Sequence, residues 1–255
     1  MKITYIILAY KNPQILNHTI NKLNDKDVSF IIHIDKKSRS LFNWEYLKSK
    51  DNITFLSYKE VTWGGIEIIE VLIKLLQVAI SQNPNGYCIL LSESDYPIKT
   101  NEYIKTYLEN NPYNFICGQK IPFFKGWLEG GRRKTECYAL RLSNKRIASI
   151  EPHKYNLSNL RQLIKVILYN HHKLKKALLI LCKYPQRQHP NYLTPFGGEF
   201  WWVLKSECIQ SILVFLEKHP DFIEYHQNTT IPDEIFMNTL VYNLFNLKEI
   251  KNSPL

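Results

Sequence analysis

Short β-branched runs alternate with helix-patterned segments through the first 118 residues. This alternation restricts the fold more than any other feature of the chain. "KITYIILAY" (2–10), "VSFIIHID" (28–35), "NITFLSY" (52–58), "YCILLSES" (87–94) and "NFIC" (114–117) read as strands. "PQILNHTINKLN" follows Asn12-Pro13 and reads as a helix with Pro13 in its first turn. "GGIEIIEVLIKLLQVAISQ" carries apolar residues at three- and four-residue spacing and ends before Asn83-Pro84. "TNEYIKTYLENN" is a shorter helix, capped by Thr100 or Asn101. Strand, helix, strand, helix predicts an α/β fold with a mostly parallel central sheet and helices on both faces. At 255 residues, with 45% hydrophobic residues, the chain is long enough for one sizeable core, and a single domain over 1–255 is expected.

Ligands of such sheets bind outside the carboxyl ends of the strands. Two strands end there in acids. The second runs into Asp35, Lys36 and Lys37, and the fourth into Glu93, Ser94 and Asp95. Turn chemistry explains one such ending. Two on one edge favour a functional reading. No GxGxxG and no GxxxxGK[ST] occurs, so the standard phosphate cradles are absent. Gly64-Gly65 offers either a backbone anion contact or a plain helix-start turn. His33, inside the second strand, reads as a satisfied core histidine.

The second half is less regular. The formal charge is +10, which suits an anionic partner. Between Glu151 and Glu199 there is no acid, but eight cations: Lys154, Arg161, Lys165, Lys173, Lys175, Lys176, Lys183 and Arg187. Apolar residues recur between them at helical spacing. The segment is either a solvated basic helix pair or a peripheral contact, over 152–198, with anionic lipid or a lipid-linked acceptor. It carries no motif that reads nucleic acid, and no nucleic-acid partner is expected. No run of about 18 apolar residues occurs, so no spanning helix is expected. Five cysteines without CxxC spacing fit free thiols in a reducing compartment. The expected location is cytoplasmic, at most peripheral at the inner face of the membrane.

Further on, "GGEFWWVL" places Trp201 and Trp202 on opposite faces of a short strand, one for the core and one free to stack on a sugar. "TTIPDEIF" opens a helix with Asp233 and Glu234 in its first turn. Acids there are ordinary helix-start signals. The same place would keep a carboxylate ionised for proton transfer.

"AYKNPQIL", "IHIDKKS", "VTWGG", "LLSESDYPIKTN", "GGEFWWVL" and "IPDEIF" occur in the order seen in core-2/I-branching glycosyltransferases and peptide O-xylosyltransferases. The chain resembles that family over nearly its whole length, and is most similar to bacterial members thought to act on surface polysaccharides. The resemblance implies a GT-A type fold, with a nucleotide-sugar half (1–118) and an acceptor and catalytic-base half (119–255). It implies inverting transfer from a UDP-sugar to a hydroxyl of a glycan or lipid-linked glycan. N-acetylglucosamine is the first expectation for the sugar and xylose the second. It implies Glu234 as catalytic base, supported by Asp233, and Asp35 as nucleotide contact. Glu93, Ser94 and Asp95 would lie beside the donor, and Arg132, Arg133 and Trp201 beside the acceptor.

Two departures stand out. Relatives usually neutralise the diphosphate with basic side chains near the C-terminus, whereas this sequence ends at "KNSPL". A longer native chain, other cations or a metal would then have to serve. No cofactor is required by the resemblance, although "ESD" has a spacing that could hold a divalent ion. Glu199 stands where many relatives carry a different residue. The rival reading is a non-catalytic glycan- or nucleotide-binding remnant.

Overall fold

A computed structural model describes residues 1–253, apart from the side chains of Tyr46 and Lys48. The chain runs β1 (Ile3–Ala9), α1 (Pro13–Leu23), β2 (Val28–Ile34), α2 (Trp44–Lys48), β3 (Ile53–Leu56), α3 (Glu67–Gln82), β4 (Tyr87–Ser92), α4 (Asn101–Asn110) and β5 (Asn114–Lys120). It continues as α5 (Arg132–Glu136), β6 (Tyr138–Ser143), β7 (Arg146–Ile150), α6 (Leu157–Asn170), α7 (Leu174–Lys183) and β8 (Phe196–Lys205). It ends as α8 (Ser206–Lys218), α9 (Pro220–His226), α10 (Asp233–Leu244) and β9 (Ile250–Lys251).

Seven strands form one sheet in the order β3-β2-β1-β4-β8-β5-β9. β3, β2, β1 and β4 pair in parallel, while β8 is antiparallel to both β4 and β5. The mostly parallel sheet between helices matches the expected α/β, GT-A type architecture. The two sequence halves interleave, because β8, from the second half, sits between β4 and β5.

Alternation along the strands builds two cores, because successive side chains point to opposite faces. Ile3, Tyr5 and Ile7 of β1 face Leu16 and Ile20 of α1 and Leu108 of α4. Ile6, Leu90 and Trp202 face the other way, against Leu72 and Leu76 of α3, Ile212 of α8 and Phe236 of α10. Each such side chain contributes roughly 1.5–3 kcal/mol of transfer free energy. Trp202 is thus the core tryptophan of its pair. A third, smaller core lies between the β6–β7 hairpin and α6–α7, around Leu140, Ile150, Val166 and Ile180.

His33 is buried, as expected, but Nε2 has no hydrogen-bond partner, so it is not fully satisfied. Burial pushes its imidazole down to about 4, and the ring packs edge-on against Tyr58. Among the described residues, no helix is long and apolar enough to cross a membrane.

Candidate active site

The order β3-β2-β1-β4 makes β1 and β4 the topological switch point, where the chain leaves one side of the sheet for the other. Asp35 donates its main-chain N–H to the Ala9 carbonyl at 2.7 Å, and Glu93 donates to that of Leu8 at 3.2 Å. The two acid endings therefore flank the end of β1. Asn12 stands there in the left-handed conformation (φ 51°), and its Nδ2 donates to Ser94 Oγ at 3.0 Å.

The carboxylates at this edge differ in their partners. Asp35 accepts from the Lys37 N–H at 2.9 Å and, through its other oxygen, from the Val61 N–H at 3.2 Å. It fastens the loop after β3 over the end of β2. Asp95 accepts from the Ser92 N–H at 2.6 Å and from Ser92 Oγ at 3.0 Å, closing its own turn. Glu93 is buried. Ser94 Oγ reaches its Oε1 at 3.4 Å, while Oε2 has no partner. Burial raises the Glu93 carboxyl, and Lys11 opposes the rise. Glu93 and Asp95 thus serve different neighbours, and among the described residues no group of three His, Cys, Asp or Glu side chains gathers as a metal site would require.

The loop after β3 leads to the second cluster. Thr62 accepts from the Gly65 N–H at 2.9 Å across a turn with Gly64 at φ 65°. Only a residue without Cβ takes that conformation cheaply, so Gly64 serves the turn. A Cβ on Gly64 would meet Ile231 Cγ1 at 3.1 Å. Ile231 itself has φ 55°, an outlier for a β-branched residue, directly before Pro232. Strain of this kind persists only where the surroundings enforce it, and it concentrates at functional positions.

α10 begins right after this strained residue. Glu234 is about one-third exposed and is ion-paired with Lys134 of α5. The Lys134 ammonium also lies 4.3 Å from the centre of the Trp127 ring, so it is held from two sides. Asp233 differs from its neighbour. Its Oδ1 is buried without a partner, and burial raises its carboxyl to about 6, with Glu234 adding to the rise and its own N–H and Lys134 opposing it. A cleft of about 440 Å³ opens beside this cluster, lined by Trp63, Trp127, Lys134 and Ile231 together with Arg133, Lys145 and Lys165. Its walls are therefore aromatic and cationic.

The two arginines expected beside the acceptor are both engaged within the fold. Arg132 pairs with Glu129, Glu136 and Glu151, so three carboxylates surround its charge. Arg133 lines the cleft and donates to the Ser149 carbonyl at 2.5 Å. Trp201 is 40% exposed on β8 and rests on Phe200 at 5.5 Å. It is not among the residues lining the cleft.

Three residues of the cluster escaped the sequence reading. Lys134 stood in plain view in "GGRRK", next to the two arginines chosen. Trp127 had no signal. Arg187 is one of the eight cations of the acid-free stretch, yet it is buried. It donates to the carbonyls of Lys134, Thr135, Cys137 and Tyr225, and to Thr229 Oγ1, while stacking 3.9 Å from the Tyr225 ring centre. It thereby ties α5 to the segment that leads into α10. No spacing rule distinguishes a buried arginine from an exposed one.

The family model described as Core-2/I-Branching enzyme matches residues 3–253. Rat xylosyltransferase 2 is 21% identical over 95% of this chain and 25% of its own length. Rat xylosyltransferase 1 is 25% identical over 46% of this chain and 15% of its own length. The chain thus spans a quarter or less of these curated relatives. Among solved structures, apo mouse xyloside xylosyltransferase 1 aligns over 98% of this chain and 84% of its own, at 8% identity and a TM-score of 0.37. The 4-diphosphocytidyl-2C-methyl-D-erythritol synthase of Anaerococcus prevotii aligns over 86% and 75%, at 11% and 0.39. The match of the family model over almost every residue identifies this chain as a member of the core-2/I-branching enzyme family of glycosyltransferases.

Proposed function

We propose that the protein is an inverting glycosyltransferase that moves a sugar from a UDP donor to a hydroxyl of a glycan acceptor, in the synthesis of a surface polysaccharide. The observation that carries this reading is the Glu234 carboxylate, held at the first turn of α10 by Lys134, which itself lines an aromatic and cationic cleft. Inverting transfer is one in-line displacement. The acceptor oxygen forms a bond to the anomeric carbon as the bond to the diphosphate oxygen breaks, and UDP carries away the electron pair. The acceptor proton must go to a base within hydrogen-bond reach. Glu234 takes it in this reading. Lys134 and Trp127 fix the carboxylate's direction, and Asp233 stands beside it in the same first turn. The acceptor lies in the cleft lined by Trp63, Trp127 and Arg133.

The donor lies at the switch point, with the nucleotide near Asp35 and the diphosphate or sugar near Glu93 and Ser94. Both Asp35 oxygens already accept from main-chain N–H groups, which leaves each one further acceptor site for a nucleotide hydroxyl. N-acetylglucosamine suits the branching members of the family, and xylose suits the relatives named xylosyltransferases.

Release of UDP from a panel of UDP-sugars, with and without EDTA, tests the reading. Wild type should release UDP with an acceptor present. Glu234→Gln should lower the rate roughly 100-fold or more while UDP still binds. UDP binding without release from any donor supports the non-catalytic alternative. Release untouched by Glu234→Gln removes Glu234 from the role of base. Loss in EDTA moves charge neutralisation to a metal.

A further inference from the structure

The outer face of α6 is apolar where a surface helix is normally polar. Leu157, Leu160, Ile164 and Leu168 recur at three- and four-residue spacing, so they form one stripe on a helix of 3.6 residues per turn. They are 72%, 51%, 46% and 71% exposed. Asn159 and Val166, on the opposite side of the same helix, are buried against the β6–β7 hairpin and α7. The stripe is therefore not the packing face turned slightly outward. Tyr155, 77% exposed, stands just before the helix, and Leu178 and Leu179 of α7 are exposed as well. Scattered exposed leucines need no explanation, but a contiguous patch does.

The charged residues of the segment that carries the stripe have one sign. Lys154, Arg161, Lys175, Lys176 and Lys183 are all exposed, and no acid occurs between Glu151 and Glu199. Two copies of the chain meeting through this face by two-fold symmetry would set these cations against each other. An anionic partner is complementary instead. Apolar side chains flanked by lysines on one plane are the pattern of helices that lie in the interface of an anionic bilayer.

We infer that α6 and α7 dock the protein on an anionic lipid surface, with Leu157, Leu160, Ile164 and Leu168 inserted among the acyl chains and the flanking lysines at the headgroups. Gln162 and Lys165 of the same helix line the cleft that Lys134 also lines, so the helix presents the stripe on one side and meets the cleft on another. The inference stands on the helix face alone and does not depend on the transfer reaction.

Co-sedimentation with phosphatidylcholine vesicles, with and without phosphatidylglycerol, tests it. Wild type should sediment with the phosphatidylglycerol vesicles only, and less so as salt rises from about 0.1 M to about 0.5 M. The double variants Ile164→Asp/Leu168→Asp and Lys175→Glu/Lys176→Glu should each weaken binding about tenfold or more. Their melting curves should match wild type, since all four side chains face outward. No binding by wild type, or equal binding to both vesicle types, overturns the inference. So does retention by Ile164→Asp/Leu168→Asp, which would leave only electrostatic adsorption. A concentration-dependent dimer in analytical ultracentrifugation that Ile164→Asp abolishes would reassign the face to a second copy.

Discussion

Arg187 and Lys134 lie 53 positions apart in sequence, yet the Arg187 guanidinium donates to the Lys134 carbonyl at 2.9 Å. Lys134 in turn holds Glu234. A buried cation with no carboxylate partner among the described residues thus fixes, through the main chain, the residue that orients the candidate base. Desolvation costs such a group several kcal/mol. Its hydrogen bonds, each worth about 1.5–3 kcal/mol from a charged donor, offset the cost.

Arg187→Met should therefore destabilise the fold by about 3 kcal/mol, because four carbonyls lose their donor together. Arg187→Lys should recover little of it, since an ammonium lacks the planar fork. Urea unfolding of the three proteins checks the order. Equal stability of wild type and Arg187→Met would contradict the bracing role.

His226 is fully buried among Phe222, Tyr225 and Phe236, and neither ring nitrogen has a partner. Burial holds its imidazole well below 6.5, with Arg187 and His189 pressing the same way. The unfolded chain then binds a proton near 6.5 that the fold refuses. Its contribution to stability is full above 6.5 and falls as pH falls. His33 and His189, both pushed down to about 4, act in the same direction. His226→Phe should leave stability near pH 7 unchanged or higher, and reduce the loss between about pH 6.5 and 4. Chemical denaturation across that range is the measurement.

Asp233 gives the opposite slope. Its folded carboxyl, raised to about 6, keeps a proton that the unfolded chain releases near 3.8. The contribution is full below 3.8 and is lost as pH rises through about 6. Asp233→Asn should stabilise the protein above pH 7 by on the order of 2 kcal/mol, discounted for partial exposure, and have little effect near pH 4. A gain equal at both pH values would show that the effect comes from packing, not from the charge.

Gly64 and Gly65 should respond differently to alanine. Gly64 is left-handed (φ 65°), and its Cβ would press on Ile231 and Ile147 at 3.1 and 3.2 Å. Gly64→Ala should cost about 1–2 kcal/mol and raise KM for the acceptor, because Ile231 leads into Glu234. A Cβ on Gly65 meets only the ends of the Glu67 and Arg141 side chains, which can move away. Gly65→Ala should be milder on both counts. Thermal melts and steady-state kinetics of the pair decide the matter, and a Gly65→Ala defect as large as that of Gly64→Ala would refute it.

The local elements, and the edge on which they open, follow from the residue pattern alone. Periodicity reports burial against a neighbouring layer, and for β1, β2, β4, α1 and α3 that signal is long and regular. The acids Asp35 and Glu93 were legible for the same reason, since an apolar strand that ends in a carboxylate must stop at the sheet edge. The tertiary structure decided what those carboxylates do. Asp95 closes its own turn, Arg132 is surrounded by three acids, and the β6–β7 hairpin carries the small core under α6. It also placed β8 between β4 and β5, because antiparallel pairing with both strands satisfies an edge that chain order alone leaves open. The link from Arg187 through Lys134 to Glu234 depends on partners 53 and 100 positions apart. Hydrogen bonds and ion pairs at that separation leave no periodic trace in a chain, so only the assembled fold brings them together.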